Sequence, residues 1–197
     1  FDGDGYTELL VGASEYNSQR GRVYYYDYNV TGNITSDTVR KLIGPNTFEF
    51  LGSSVSSGDM NGDGFNDIII GSGDARRRGK AYIFFGGVNW DTIPDIVMLG
   101  ESDSSELGIS VSSADVNNDG YSDAIFGAGR YNSDRGRVYI LFGGASMDNI
   151  PDIIITGEGT NNMFGASVSS AGDVNGDGYP DVIVGAEQYN SNRGRAY

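Results

Sequence analysis

An acidic loop of nine residues recurs along this chain, and each time it opens onto an apolar strand. The complete copies are Asp59-Met60-Asn61-Gly62-Asp63-Gly64-Phe65-Asn66-Asp67, Asp115-Val116-Asn117-Asn118-Asp119-Gly120-Tyr121-Ser122-Asp123 and Asp173-Val174-Asn175-Gly176-Asp177-Gly178-Tyr179-Pro180-Asp181. Part of a fourth stands at the N-terminus as Asp2-Gly3-Asp4-Gly5-Tyr6-Thr7-Glu8. The fifth loop position falls at Asp4, Asp63, Asp119 and Asp177, so successive copies lie 59, 56 and 58 residues apart. A second marker keeps the same period: Gly21-Arg22-Val23-Tyr24, Gly79-Lys80-Ala81-Tyr82, Gly136-Arg137-Val138-Tyr139 and Gly194-Arg195-Ala196-Tyr197. A chain written this way must fold as a series of like units, and a period above about 40 residues with several strands per unit is that of a propeller blade.

One unit can be read through. Strand one is expected near Phe50 to Ser57, followed by the acidic loop. Strand two runs from Asp67 to Ser72, strand three from Gly79 to Phe85, and strand four from Asp95 to Leu99. The second strand is a short β-branched run closed by glycine, the pattern of a buried strand. Helical periodicity is absent. The fold class is therefore all-β, with four-stranded antiparallel blades at 49–105 and 106–162 and partial blades at 1–48 and 163–197. Propellers close with about four to eight blades, so the chain is expected to be an excerpt of a longer propeller. The rival reading is a four-bladed ring in which 161–197 supplies the start of a blade and 1–45 its remainder.

The loop itself points to a hard cation. Carboxylates and carboxamides at positions 1, 3, 5 and 9 form an oxygen donor set, for which Ca²⁺ is the default occupant. The candidate ligands are Asp59, Asn61, Asp63, Phe65 and Asp67; Asp115, Asn117, Asp119, Tyr121 and Asp123; Asp173, Asn175, Asp177, Tyr179 and Asp181; and Asp2, Asp4, Tyr6 and Glu8. The residue at position 7 would contribute its carbonyl, and position 9 would close the site. An EF-hand would place Glu at position 12; Ile70, Phe126 and Val184 stand there instead. Gly64, Gly120 and Gly178 at position 6 allow the positive φ of a sharp bend. A metal-free Asx turn is the competing account, but three full copies with acids at the same offsets would repel one another without a cation.

Charge and cysteine usage agree. The formal net charge is -14, which argues against nucleic acid or anionic membranes as partners. Nine loop Asp plus Asp2, Asp4 and Glu8 make 12 of the 27 acids, and four Ca²⁺ would take -14 to -6. There is no Cys, so calcium replaces disulfides as the staple. Without His or Cys the usual nucleophile–base pairs cannot be assembled, and no enzyme activity is expected. No stretch is long or apolar enough to insert in a membrane. Asn29-Val30-Thr31 and Asn33-Ile34-Thr35 are N-glycosylation sequons.

These residues resemble the FG-GAP repeat, the blade unit of the N-terminal propeller of integrin α-subunits. The FG element is Phe164-Gly165, with Leu51-Gly52 and Leu107-Gly108 as variants. The GA element is Gly12-Ala13, Gly127-Ala128 and Gly185-Ala186, with Gly71-Ser72 as a variant. The acidic loop between them and the following Gly-Arg-Val-Tyr strand also match. Ser14, Gly129 and Glu187 replace the usual proline after Gly-Ala. The resemblance implies a seven-bladed propeller with Ca²⁺ held at loop positions 1, 3, 5, 7 and 9. It further implies an extracellular or cell-surface location and binding of an extracellular protein or glycan in cell adhesion. Further blades or copies of the same chain are the other expected partners. Two alternatives remain open: a non-catalytic accessory propeller of a secreted enzyme, and a structural surface or filament component, which the similarity of the blades favours. Tyr16, Tyr131 and Tyr189, in turns between strands two and three, are expected to pack on the next blade, Trp90 to pack in the core, and Arg76-Arg77-Arg78 to be a solvated turn.

Overall fold

The structure, a computed structural model, describes residues 8–26, 39–74 and 78–197. It forms four antiparallel sheets in chain order. The first holds β1 (Leu9–Ala13), β2 (Arg22–Tyr26) and β3 (Val39–Ile43). The second holds β4 (Ser54–Gly58), β5 (Asp67–Ser72), β6 (Lys80–Phe84) and β7 (Ile96–Leu99). The third repeats it with β8 (Ser110–Ala114), β9 (Asp123–Ala128), β10 (Arg137–Leu141) and β11 (Ile153–Thr156). The fourth contains β12 (Phe164–Gly172), β13 (Asp181–Ala186) and β14 (Arg195–Ala196). Each four-stranded sheet is a meander with sequential neighbours paired, the topology of a propeller blade. Among the described strands none of the first sheet pairs with one of the fourth.

Alternation along the middle strands explains how the sheets stack. On β5, Ile68 and Ile70 face the first sheet and share a cluster with Val23, Tyr25 and Leu42. Ile69 faces the other way, into a cluster with Ala124, Phe126 and Tyr139 of the third sheet. On β9, Phe126 looks back to the second sheet, while Ile125 joins Phe164, Val184 and Ala186 of the fourth. Every residue of β5 and β9 is buried, as strands covered on both faces must be. Burying each such isoleucine contributes roughly 1.5–3 kcal/mol. Trp90 is buried and meets Tyr25 edge-to-face with ring centroids 5.2 Å apart, so it bridges the first and second sheets as packing.

Blades also meet through backbone. A Cβ on Gly71 would fall 2.0 Å from the carbonyl oxygen of Gly108, and one on Gly127 would fall 2.0 Å from that of Gly165. The glycine of the Gly-Ala element in one blade thus closes against the glycine after Leu or Phe in the next. Short bridges Gly21–Leu51, Gly79–Leu107 and Gly136–Phe164 continue this seam.

Between the second and third strands the chain makes compact turns at Tyr16–Gln19, Tyr131–Asp134 and Tyr189–Asn192. Their inner residues are left-handed, with φ of 50° and 59° at Asn132 and Ser133. Asn reaches this region more easily than most residues. Tyr131 and Tyr189 are half-buried against the clusters between their own blade and the preceding one. Each turn tyrosine lies under the arginine of its own blade's third strand, with the guanidinium carbon 3.6 Å from the ring centre for Arg22 over Tyr16, 3.8 Å for Arg137 over Tyr131 and 4.0 Å for Arg195 over Tyr189. The Arg is only a few residues away, and the ring offers it a face to stack on. Arg76 and Arg77 lie outside the described residues; Arg78 is exposed and pairs with Asp103 at 3.2 Å.

Candidate metal sites

Each complete acidic loop joins the first and second strands of its blade, and the three loops share one hydrogen-bonding scheme. At position 1, Asp59 accepts from the amides of Gly62 and Gly64 at 2.8 and 2.9 Å. Asp115 accepts from Asp119 and Gly120, and Asp173 from Gly176, Asp177 and Gly178. At position 3, Asn61, Asn117 and Asn175 accept from the amide two residues on, and position 5 repeats that Asx turn onto position 7. Position 6 takes the expected positive φ, at 88°, 93° and 92° for Gly64, Gly120 and Gly178.

Position 9 is anchored from two sides. Asp67 accepts from the amides of Met60 and Gly86, both at 2.8 Å. Asp123 accepts from Val116 and Gly143 at 2.7 and 2.9 Å. Both carboxylates are fully buried. Burial pushes Asp67 up to about 6 against the two amide bonds that favour its ionised form, and raises Asp123 in the same way. Asp173, in the exposed third loop, is instead held below its ordinary value by the amides of Gly178, Gly176 and Asp177. Asp173 thus favours the carboxylate, while Asp67 and Asp123 hold a charge that their surroundings disfavour.

The arrangement suits a hard cation in donor chemistry. All side-chain donors are oxygens, and each carboxylate retains lone-pair capacity beyond its amide bonds. No described residue donates to the carbonyls of Phe65, Tyr121 or Tyr179. Among the described residues, the ion pairs go to Asp103, Glu49, Glu106, Asp134, Glu101 and Glu158, and none reaches a loop Asp. No group of three or more His, Cys, Asp or Glu side chains stands poised around one metal position among them. The loop oxygens turn onto their own amides. Of the partial N-terminal loop, Asp2, Asp4 and Tyr6 lie outside the described residues, and Glu8 is half-buried. The sequons also lie outside them.

Two features escape a reading of the sequence. One is the second anchor of position 9, the amides of Gly86 and Gly143, which come 19 and 20 residues later in the chain. The other is Glu49, 5% exposed, which pairs with Lys80 and accepts from the Tyr82 hydroxyl at 2.7 Å. Burial raises its pKa, but Lys80 and Tyr82 outweigh that and hold it below the ordinary carboxylate value. The opposite end of the blades carries a polar cleft between Ser102–Ser104 and Arg130–Asp134. No described helix is long and apolar enough to cross a membrane.

Comparison with known proteins now has a geometry to rest on. The FG-GAP repeat is matched at residues 107–141 and 164–197, and the FG-GAP-like repeat at 1–70. Integrin alpha-5 of Xenopus laevis is 27% identical over 202 residues, covering 94% of this chain and 19% of that protein. Integrin alpha pat-2 of Caenorhabditis briggsae is 29% identical over 94% of this chain and 17% of its own length. Integrin alpha-7 of Mus musculus is 33% identical over 77% of this chain and 14% of its own length. The chain thus spans less than a fifth of these relatives. The paired glycines of the blade seam are the elements for which the repeat is named, and together with the sheets and loops between them they conclude the case: the chain belongs to the FG-GAP repeat family, as an integrin α-like propeller segment.

Proposed function

We propose that this is a calcium-stabilised propeller segment that works as a binding module in cell adhesion, outside the cell or at its surface, and has no catalytic role. One observation carries the calcium reading. Three loops each hold three carboxylates within nine residues, and no described Lys or Arg neutralises any of them. Buried Asp67 and Asp123 sharpen the point, since a carboxylate held out of water needs a compensating charge. The residues that would hold the ion are the side chains at loop positions 1, 3, 5 and 9 and the carbonyl at position 7, in the loops at 59–67, 115–123, 173–181 and 2–8. Bound calcium would cancel the loop charge and tie strand one to strand two. Extracellular modules hold Ca²⁺ with Kd of about 10⁻⁴–10⁻³ M, matched to millimolar external calcium.

The blades would run at 1–48, 49–105, 106–162 and 163–197 within a seven-bladed ring, a reading that the likeness to the family supports. The partner would be an extracellular protein or glycan, met on the face of the Tyr-Asn-Ser turns, with further blades or copies of the chain at the open sheet faces. The test is thermal unfolding in EDTA, in millimolar Ca²⁺ and in millimolar Mg²⁺. A calcium-specific rise in Tm supports the reading, and equal Tm in all three removes it. Binding of the calcium-loaded protein to immobilised matrix proteins and glycans then tests the adhesive role.

A further inference from the structure

The loops at 59–67 and 115–123 are in contact. Ser122 donates its backbone N–H to the carbonyl of Asp59 at 2.8 Å, and Gly144 donates to the carbonyl of Met60 at 2.7 Å. The ring of Tyr121 lies against Gly62, where a Cβ would fall 2.3 Å from the ring's Cε1. Ser122 also sits on Gly58, and Gly143 is wedged so closely that a Cβ there would fall 2.5 Å from the Ser122 carbonyl oxygen and 2.8 Å from that of Met60. These contacts hold the backbone from which Asp59 and Asn61 project, and they come from the next blade.

Building on the reading of the loops as cation sites, we propose that Tyr121 and Ser122 are positioning residues for the site of the preceding blade, so that the site at 59–67 is completed across the seam and its affinity depends on the neighbour. The chain carries its own contrast. At the next seam the place of Ser122 is taken by Pro180, which has no N–H to give. No described residue donates to the carbonyl of Asp115. Position 4 of that loop is Asn118 in place of Gly62, and Tyr179 remains 48% exposed. The site at 59–67 therefore holds its cation more tightly than the site at 115–123.

The test follows the amide NMR signals of Gly64, Gly120 and Gly178 as CaCl₂ is titrated into the whole chain, since each of these amides donates to the position 1 Asp of its own loop. In the unaltered protein Gly64 should reach its midpoint first. Ser122→Pro removes the cross-blade donor with a residue that the equivalent backbone already accepts. It should raise the Gly64 midpoint about five- to tenfold, the scale of one lost hydrogen bond, and leave Gly178 in place. Pro180→Ser adds the missing donor and should lower the Gly120 midpoint several-fold with Gly64 unchanged. If S122P does not fold, P180S decides alone. Titrations in which Gly64 and Gly120 ignore both variants overturn the coupling but keep the cation sites. An unaltered protein in which no glycine responds to millimolar calcium overturns the cation reading and the coupling with it.

Discussion

The acidic loops at 59–67 and 173–181 have nearly the same sequence and live in different surroundings. In the first, the closing Asp67 is fully buried, the loop is roofed by Tyr121 and Ser122, and burial drives the carboxyl toward neutrality. In the second, every residue from Asp173 to Tyr179 is exposed, and the amides of its own loop hold Asp173 below its ordinary value. The two loops share most of their internal hydrogen bonds, the second adding Asp177 N–H to Asp173 and the Asn175 amide to Asp181; what differs most is the blade beside them. A repeat sequence therefore specifies the unit, and the neighbour specifies its energetics.

The widest gap between inner and outer positions is expected in the core. Ile69 and Ile183 both stand two residues after the closing Asp, yet one is fully buried and the other 43% exposed. Ile69→Ala should cost about 2–5 kcal/mol and Ile183→Ala under about 1 kcal/mol, read from urea unfolding. Equal losses would mean that the two faces are covered alike in solution.

Ion pairs offer a second contrast. Glu49 is buried against Lys80 and Tyr82, whereas Glu158 meets Arg195 at 3.2 Å with both side chains about half exposed. Glu49→Gln should cost roughly 1–3 kcal/mol, and Glu158→Gln about 0–1 kcal/mol. The same pair separates in acid. Because the folded-state pKa of Glu49 is depressed, its stabilisation is complete above the ordinary Glu value near 4.5 and is lost as pH falls through the lower folded value. Stability of the parent protein should therefore drop below about pH 4.5, and Glu49→Gln should flatten that acid limb.

Calcium should act on the loops with intermediate size. At about 5 mM Ca²⁺ and Kd in the extracellular range, each filled site contributes about 1–2 kcal/mol. Asp63→Ala should remove more of the calcium-induced rise in Tm than Asp177→Ala, because the first loop is the better supported one. A reversed order would break the comparison between inner and outer loops.

The smallest effect is expected at the turns. Tyr131→Leu keeps apolar cover over the blade but loses the stack under Arg137, and should cost about 0.5–1 kcal/mol. Differential scanning calorimetry against Arg137→Lys, which weakens the same stack, checks that the two changes do not add.

Much of this molecule is determined by its sequence alone. The repeat period, the strand at Asp67–Ser72 and the positive φ of Gly64, Gly120 and Gly178 all rest on interactions within a few residues, and such interactions are written where they act. The carboxylates and carboxamides at positions 1, 3, 5 and 9 and their Asx turns are legible for the same reason. Only the tertiary structure decided the rest: that Tyr131 lies under Arg137 of its own blade, that Gly86 and Gly143 anchor the closing aspartates, that Glu49 is buried with Lys80, and that Tyr121 covers the loop before its own. Each of these contacts joins residues separated by a turn, a strand or a whole blade. Their strength depends on which surfaces are buried when sheets stack, and three almost identical loops differ in burial although their sequences barely do.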